Sequence, residues 1–217
     1  MGRLLRWSAL LLQATPVSCW LAGAVMLIGV VWIQVLPADL VKALNAEDGP
    51  FEQASVAFLA ASALLAVASW WQSRQRIWAS TAVVLIYATL RELDFQTLFT
   101  YRSVMSLGYY TRDRAAWPEK LLVLLLVAPC LLALGHLLLR AWRSVRQGAL
   151  KRPALWSPLA MGAWIGVFFV LSHLSDRTVW FRLHGHVEAW IEAILALLVL
   201  LLVLELKPSL MKAASAE

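Results

Sequence analysis

A chain of 217 residues with 61% hydrophobic side chains, only 15% charged ones and a mean hydropathy of +0.72 lies far outside the usage of soluble domains. Two cysteines, Cys19 and Cys130, set in separate apolar runs, exclude a disulfide framework and a paired-cysteine metal knuckle. The composition predicts a polytopic membrane protein, and its 12 Trp suit the membrane interfaces, where an indole is half apolar and its N–H finds a partner.

In chain order, Arg3 and Arg6 precede a short apolar lead-in, and a first span is predicted over 16–36, with no small-residue cleavage site to mark it as a removed leader. Pro37 ends it. A polar connection over 38–52 follows, carrying Asp39, Lys42, Glu47, Asp48 and Glu52. Asp48-Gly49-Pro50 is a strong breaker, and Pro50 suits the first position of a new helix. The second span is predicted over 53–71, the basic stretch Gln72-Ser73-Arg74-Gln75-Arg76 is a tight turn, and the third span covers 77–94. Residues 95–120 form the longest non-apolar stretch, whose arginines and aromatics (Arg102, Tyr109, Tyr110, Arg112, Arg114, Trp117) suit a headgroup layer. A fourth span over 121–139, kinked at Pro129, precedes the basic connection 140–152. The fifth and sixth spans cover 154–173 and 187–206, with a short polar turn between them. The predicted fold is all-α: one integral membrane domain over 1–217, a bundle of about six transmembrane helices.

Charge sets the orientation. The terminal segments and the connections 72–76 and 140–152 together hold 11 of the 19 basic residues, against only Glu205 and Glu217 of the 13 acidic ones. The positive-inside rule assigns that side, and both termini, to the cytoplasm of a bacterial inner membrane. The formal charge of +6 then reflects topology and contact with the lipid bilayer, and nucleic acid is not an expected partner. The chain has no phosphate-binding loop, dinucleotide fingerprint or nucleophile elbow, and no inverted repeat of the transporter kind.

On this topology the ionisable residues gather at the periplasmic helix ends. Glu47, Asp48 and Glu52 open the second span; Arg91, Glu92 and Asp94 close the third; His173, Asp176 and Arg177 close the fifth; His184, His186, Glu188 and Glu192 open the sixth. Tyr87, Arg91 and Asp94 share a helical face, and His184, Glu188 and Glu192 are successive i+4 neighbours if the helix reaches His184. Glu192 lies about 6 Å below Glu188. A carboxylate that deep costs about 2.5 to 3.5 kcal/mol if it faces lipid, so it is expected to face protein, with Arg91 as its charged partner.

Each group also has a plainer reading. Acidic residues at a helix start are favoured by the macrodipole alone. Arg91 with Glu92 or Asp94 makes an ordinary ion pair, His184-Gly185-His186 is a common surface pattern, and His136 in the fourth span reads as a helix-packing residue. In the functional reading His173, Asp176, His184 and His186 are candidate ligands for Zn²⁺, which favours imidazole and carboxylate and can keep a position for water. Glu92, Asp94, Glu188 and Glu192 are then candidate catalytic carboxylates, and Arg91, Arg102 and Glu52 candidate substrate-binding groups. The chemistry is metal-dependent hydrolysis of a lipid ester or amide. The competing classes are a non-enzymatic accessory or assembly subunit meeting a membrane-protein partner, and a small transporter or proton relay.

The motifs Glu47-Asp48-Gly49-Pro50-Phe51-Glu52, Arg91-Glu92-Leu93-Asp94 and Glu188 to Glu192 resemble bacterial polytopic inner-membrane families of uncharacterised function. That resemblance implies a shared outer-face site. A looser likeness, by analogy, is to the alkaline ceramidase and adiponectin-receptor hydrolases, whose site uses histidines and an aspartate near one face. The chain departs from them in having six expected spans where they usually have seven, and His-x-His where they have His-x-x-x-His.

Overall fold

The computed structural model describes residues 17–44, 49–93, 117–146, 160–167, 170 and 184–214, and every regular element among them is a helix. These are α1 (Val17–Val35), α2 (Ala38–Leu44), α3 (Pro50–Ser73), α4 (Arg76–Glu92), α5 (Trp117–Arg146) and α6 (His184–Ala214), with a further helical segment at 160–167. Three stretches are long and apolar enough to cross a membrane, Pro50–Ser73, Val123–Ser144 and Ala189–Lys207, and α1 contains a shorter apolar stretch, Cys19–Trp32. Their length and apolar character make the chain a helical membrane protein. The expected fifth span, 154–173, lies largely outside the described residues.

The helix ends follow the expected chemistry. Gly49 is extended (φ −70°, ψ 165°), Pro50 takes the first turn of α3, and the Gln53 N–H donates to the Gly49 carbonyl at 3.0 Å. Arg74 ends α3 in the left-handed conformation (φ 55°), its N–H donating to the Trp70 carbonyl at 2.7 Å, so only two residues separate α3 from α4. The Arg74 guanidinium lies over Trp71 (4.9 Å) and Trp70 (5.9 Å), an arrangement that suits a headgroup layer. Three elements depart from the sequence expectation, one of them α6, which continues past the expected end at 206 to Ala214. Residues 38–44, read as polar connection, form α2, because Leu40, Val41 and Leu44 recur at helical spacing among Asp39, Lys42 and two alanines. The fourth span extends well beyond 121–139 in both directions, since interfacial residues such as Trp117 and Arg143 continue a helix that apolar run length does not register.

Helix α3 is the centre of the packing. Its buried residues Ser55, Leu59, Ser62, Ala66 and Ser69 recur at alternating four- and three-residue steps, and Ala63 lies beside them. Such small side chains let neighbouring helices approach closely, which is what drives association in lipid, where burial of apolar surface gives little. The Ser62 and Ser69 hydroxyls donate to the carbonyls of Phe58 and Leu65, four residues back, at 2.7 Å each. Those protons are therefore used inside α3, and the serines act as packing residues.

Four contacts fix the direction of each neighbour. Helix α4 returns antiparallel to α3, since Ser55 Oγ near the start of one donates to Glu92 Oε2 at the end of the other (3.5 Å). Helix α6 runs parallel to α3: Phe51 meets Trp190 edge-to-face at 4.8 Å, and further along both helices Leu59, Ala63 and Ala66 share a core with Ala196 and Val203. Helix α1 runs antiparallel to α6, with Trp190 against Met26 and Gly29 at one end and Cys19 and Ala22 in a core with Ile194 and Leu198 at the other. Helix α5 lies along α4, joined by Ser80 Oγ and His136 Nδ1 at 2.8 Å. The buried residues Val123, Val127, Cys130 and Ala133 precede His136 in sequence, so α5 is antiparallel to α4. His136 is thus the helix-packing residue that the sequence suggested. The helices follow one another across the bundle in the order α1, α6, α3, α4, α5.

This topology separates charge. One end carries Arg74, Arg76, Arg140, Arg143, Arg146 and Lys207, with Glu205; the other carries Glu52, Arg91, Glu92, Lys120 and Glu192. We expect Ala66→Leu, at a position fully buried between helices, to destabilise the bundle by about 1–3 kcal/mol through overpacking. Leu64→Ala on the exposed face should change stability by no more than about 0.5 kcal/mol. Reversible unfolding in mixed micelles measures both.

Candidate functional site

Antiparallel return of α4 and parallel alignment of α6 bring three carboxylates from three helices to one end. Glu52 stands in the first turn of α3, Glu92 in the last turn of α4 and Glu192 in α6 two residues beyond Trp190. All three are half-buried. The hydroxyl of Ser55, itself buried, donates to Glu92, which makes it a functional-level residue that sequence reasoning missed. Its signal was present, because Ser55 is one turn beyond Glu52 on the same helix, but only the fold shows that Glu92 arrives opposite it. Arg91 shares this end and is exposed.

The remaining expected site residues divide into two groups. Asp94, Arg102, His173 and Asp176 lie outside the described residues. His184, His186 and Glu188 belong to the first turns of α6, so the helix does reach His184 and the i+4 series His184, Glu188, Glu192 follows its axis. Among the described residues, no group of three or more His, Cys, Asp or Glu side chains is placed to hold a metal ion.

At the same end lies an apolar groove of about 520 Å³, walled by the C-terminal half of α1, by Leu36, by Leu40 and Leu44 of α2, and by Phe51 and Trp190. Its lining exposes no polar area. Trp190 forms one end of it. The indole N–H donates to the Met26 carbonyl at 3.3 Å, its ring packs on Phe51, and its edge lies where a side chain at position 29 would have to be. Gly29 is therefore required by close approach. Glu52 follows Phe51 directly and Glu192 is two residues from Trp190, so these two carboxylates stand at the same level along the helix axes as the Phe51 and Trp190 part of the groove.

Comparisons with family models, with curated proteins and with solved structures find no match to this chain. The functional reading therefore rests on the residues themselves.

Gly29→Ala would overlap the Trp190 indole and should destabilise the protein by about 1–3 kcal/mol. Gly135→Ala, whose added methyl group meets nothing within 4 Å, should instead stabilise α5 by about 0.5–1 kcal/mol. Opposite signs of the two shifts in unfolding midpoint verify the seating of Trp190.

Proposed function

We propose that the chain is a multi-pass protein of the bacterial inner membrane, crossing it six times with both termini in the cytoplasm, and that it binds an amphiphile from the outer leaflet at its carboxylate end. The observation that carries this reading is that Glu52, Glu92 and Glu192, from three helices, share one end of the bundle with an apolar groove. A carboxylate accepts more than one hydrogen bond, so these side chains can take charge-assisted hydrogen bonds from a ligand in addition to those they accept within the protein. An ammonium or hydroxyl headgroup supplies them, while Arg91 at the same level suits a phosphate. Orientation is supported by the segregation of charge, since the end rich in Arg and Lys belongs in the cytoplasm by the positive-inside rule.

One observation favours a second reading, hydrolysis of the bound amphiphile. The helical start at His184 aligns His184, Glu188 and Glu192 at i+4 steps. His184, with His173 and Asp176, would hold a Zn²⁺ ion, and a neighbouring carboxylate would take the proton of its water; His186, at i+2 in the same helix, lies on another side of it. Metal analysis of the purified protein separates the readings: about one zinc per chain, lost in His184→Ala, supports hydrolysis, and a metal-free protein that retains lipid leaves binding alone.

Orientation is tested in a background lacking both cysteines. Gln53→Cys should react with a membrane-impermeant maleimide on spheroplasts, and Gln72→Cys only after the membrane is opened; the reverse pattern contradicts the assignment. For binding, the Glu92→Gln/Glu192→Gln double variant should retain about five- to tenfold less phospholipid through purification than the parent, as expected for loss of one or two charge-assisted hydrogen bonds. Equal retention removes the carboxylates from the site.

A further inference from the structure

We propose that the groove between α1 and α2 holds one acyl chain of a membrane phospholipid whose headgroup lies at the level of Glu52 and Glu192. This deepens the reading of the carboxylate end as an outer-leaflet site and rests on it. Three features of the groove select the occupant. Its volume, about 520 Å³, falls within the range of about 300–1,000 Å³ that serves small-molecule ligands, so it is a ligand-sized space. Its lining side chains are all aliphatic or aromatic, so hydrocarbon is favoured over water as its filling. Third, its walls continue into lipid-facing surface: Val25, Ile28 and Trp32 of α1 are 44%, 59% and 64% exposed, and Leu40 of α2 is 46% exposed. Hydrocarbon from the bilayer can therefore reach it without crossing a polar barrier.

The same features weigh against protein as the filling. A non-helical segment would bring backbone N–H and C=O groups into a space that offers them no partner, at several kcal/mol each. A helix is about 10–12 Å across with its side chains, so the groove would hold little more than one turn. An acyl chain has neither problem. It is narrow and apolar, and its polar end can remain at the boundary where Phe51 and Trp190 give way to Glu52 and Glu192. The seating of Trp190 against Gly29 and the Met26 carbonyl fixes the closed end of the groove, while the leucines of α2 cover one side. The headgroup that fits this boundary carries an amine, because a carboxylate can accept more than one hydrogen bond and attracts an ammonium group while repelling a purely anionic headgroup.

The test is photolabelling of the full chain. The protein is reconstituted in vesicles of phosphatidylethanolamine and phosphatidylglycerol, doped with a phosphatidylethanolamine bearing a diazirine near the end of one acyl chain, irradiated, and mapped by peptide mass spectrometry. Adducts on residues 25–32 and 36–44 should exceed those on the exposed face of α5 at Leu121, Leu125 and Leu132 by about threefold or more, as a retained ligand exceeds passing lipid. In Ile28→Trp, which fills the groove from an exposed position, that excess should vanish while labelling of α5 persists; replacing the labelled lipid by labelled phosphatidylglycerol should lower it. Even labelling of all exposed faces, or an excess unchanged in Ile28→Trp, overturns the acyl site and leaves the membrane topology standing. An excess that is the same for both headgroups overturns the amine assignment. Labelling of no helix overturns the outer-leaflet reading itself.

Discussion

Helices surrounded by hydrocarbon have little to gain by burying apolar side chains against one another, so a bundle depends on how closely their backbones can approach. In this chain that approach is made by the serine and alanine face of α3. Ser55, Ser62 and Ser69 are seven residues apart and fully or almost fully buried, and Ala66 lies between them with no exposed surface. Hydroxyls that donate to their own helix let this face be small without leaving buried polar groups unpaired. Helices α4 and α6 pack on it, and α1 and α5 pack on those in turn. The placement of every polar group at the carboxylate end follows from this one surface: α4 must return beside α3 to bring Glu92 to Ser55, and α6 must run parallel to bring Glu192 level with Glu52.

The membrane class and most helix limits were legible in the sequence because hydrocarbon imposes a length on apolar runs and because Pro37, Gly49-Pro50 and the basic turn at Arg74 interrupt them. Helix α2 and the extensions of α5 were not, since each is built from residues whose apolar spacing is short and mixed with charge. At the site, sequence reasoning put Glu52, Glu92 and Glu192 at helix ends of the same side, and the fold brings those three residues to one end. It did not find Ser55 or the groove. A hydroxyl within an apolar span has no distinctive spacing of its own, and a groove arises from α1, α2 and α6 meeting, which no single stretch encodes. Gly29 is an instructive case: in sequence it is a small residue among valines and leucines, and only Trp190, more than a hundred residues later, explains why nothing larger can stand there.

The carboxylate end unites two environments that an amphiphile also unites. Half-buried acids and an exposed arginine stand at this end, and a groove lined by apolar side chains opens near the same level. The opposite end carries a single acidic residue among its described charges and has tryptophans under Arg74 and Arg146, at 4.9 Å and 5.0 Å, which suits attachment to anionic lipid. The two ends therefore differ in kind. Of the buried serines along α3, Ser62 and Ser69 donate to carbonyls of their own helix and Ser55 donates to Glu92 of α4.

The carboxylate end depends above all on α3 and α6 running parallel, because that alignment brings Glu192 to the level of Glu52. Thiol cross-linking in membranes measures it directly. In a background without Cys19 and Cys130, cysteines replacing Phe51 and Trp190, whose rings are 4.8 Å apart, should be joined by a short bifunctional reagent, and cysteines replacing Phe51 and Val203 should not. Cross-linking of the second pair in preference to the first would mean that α6 runs the other way, and the carboxylate site would not exist.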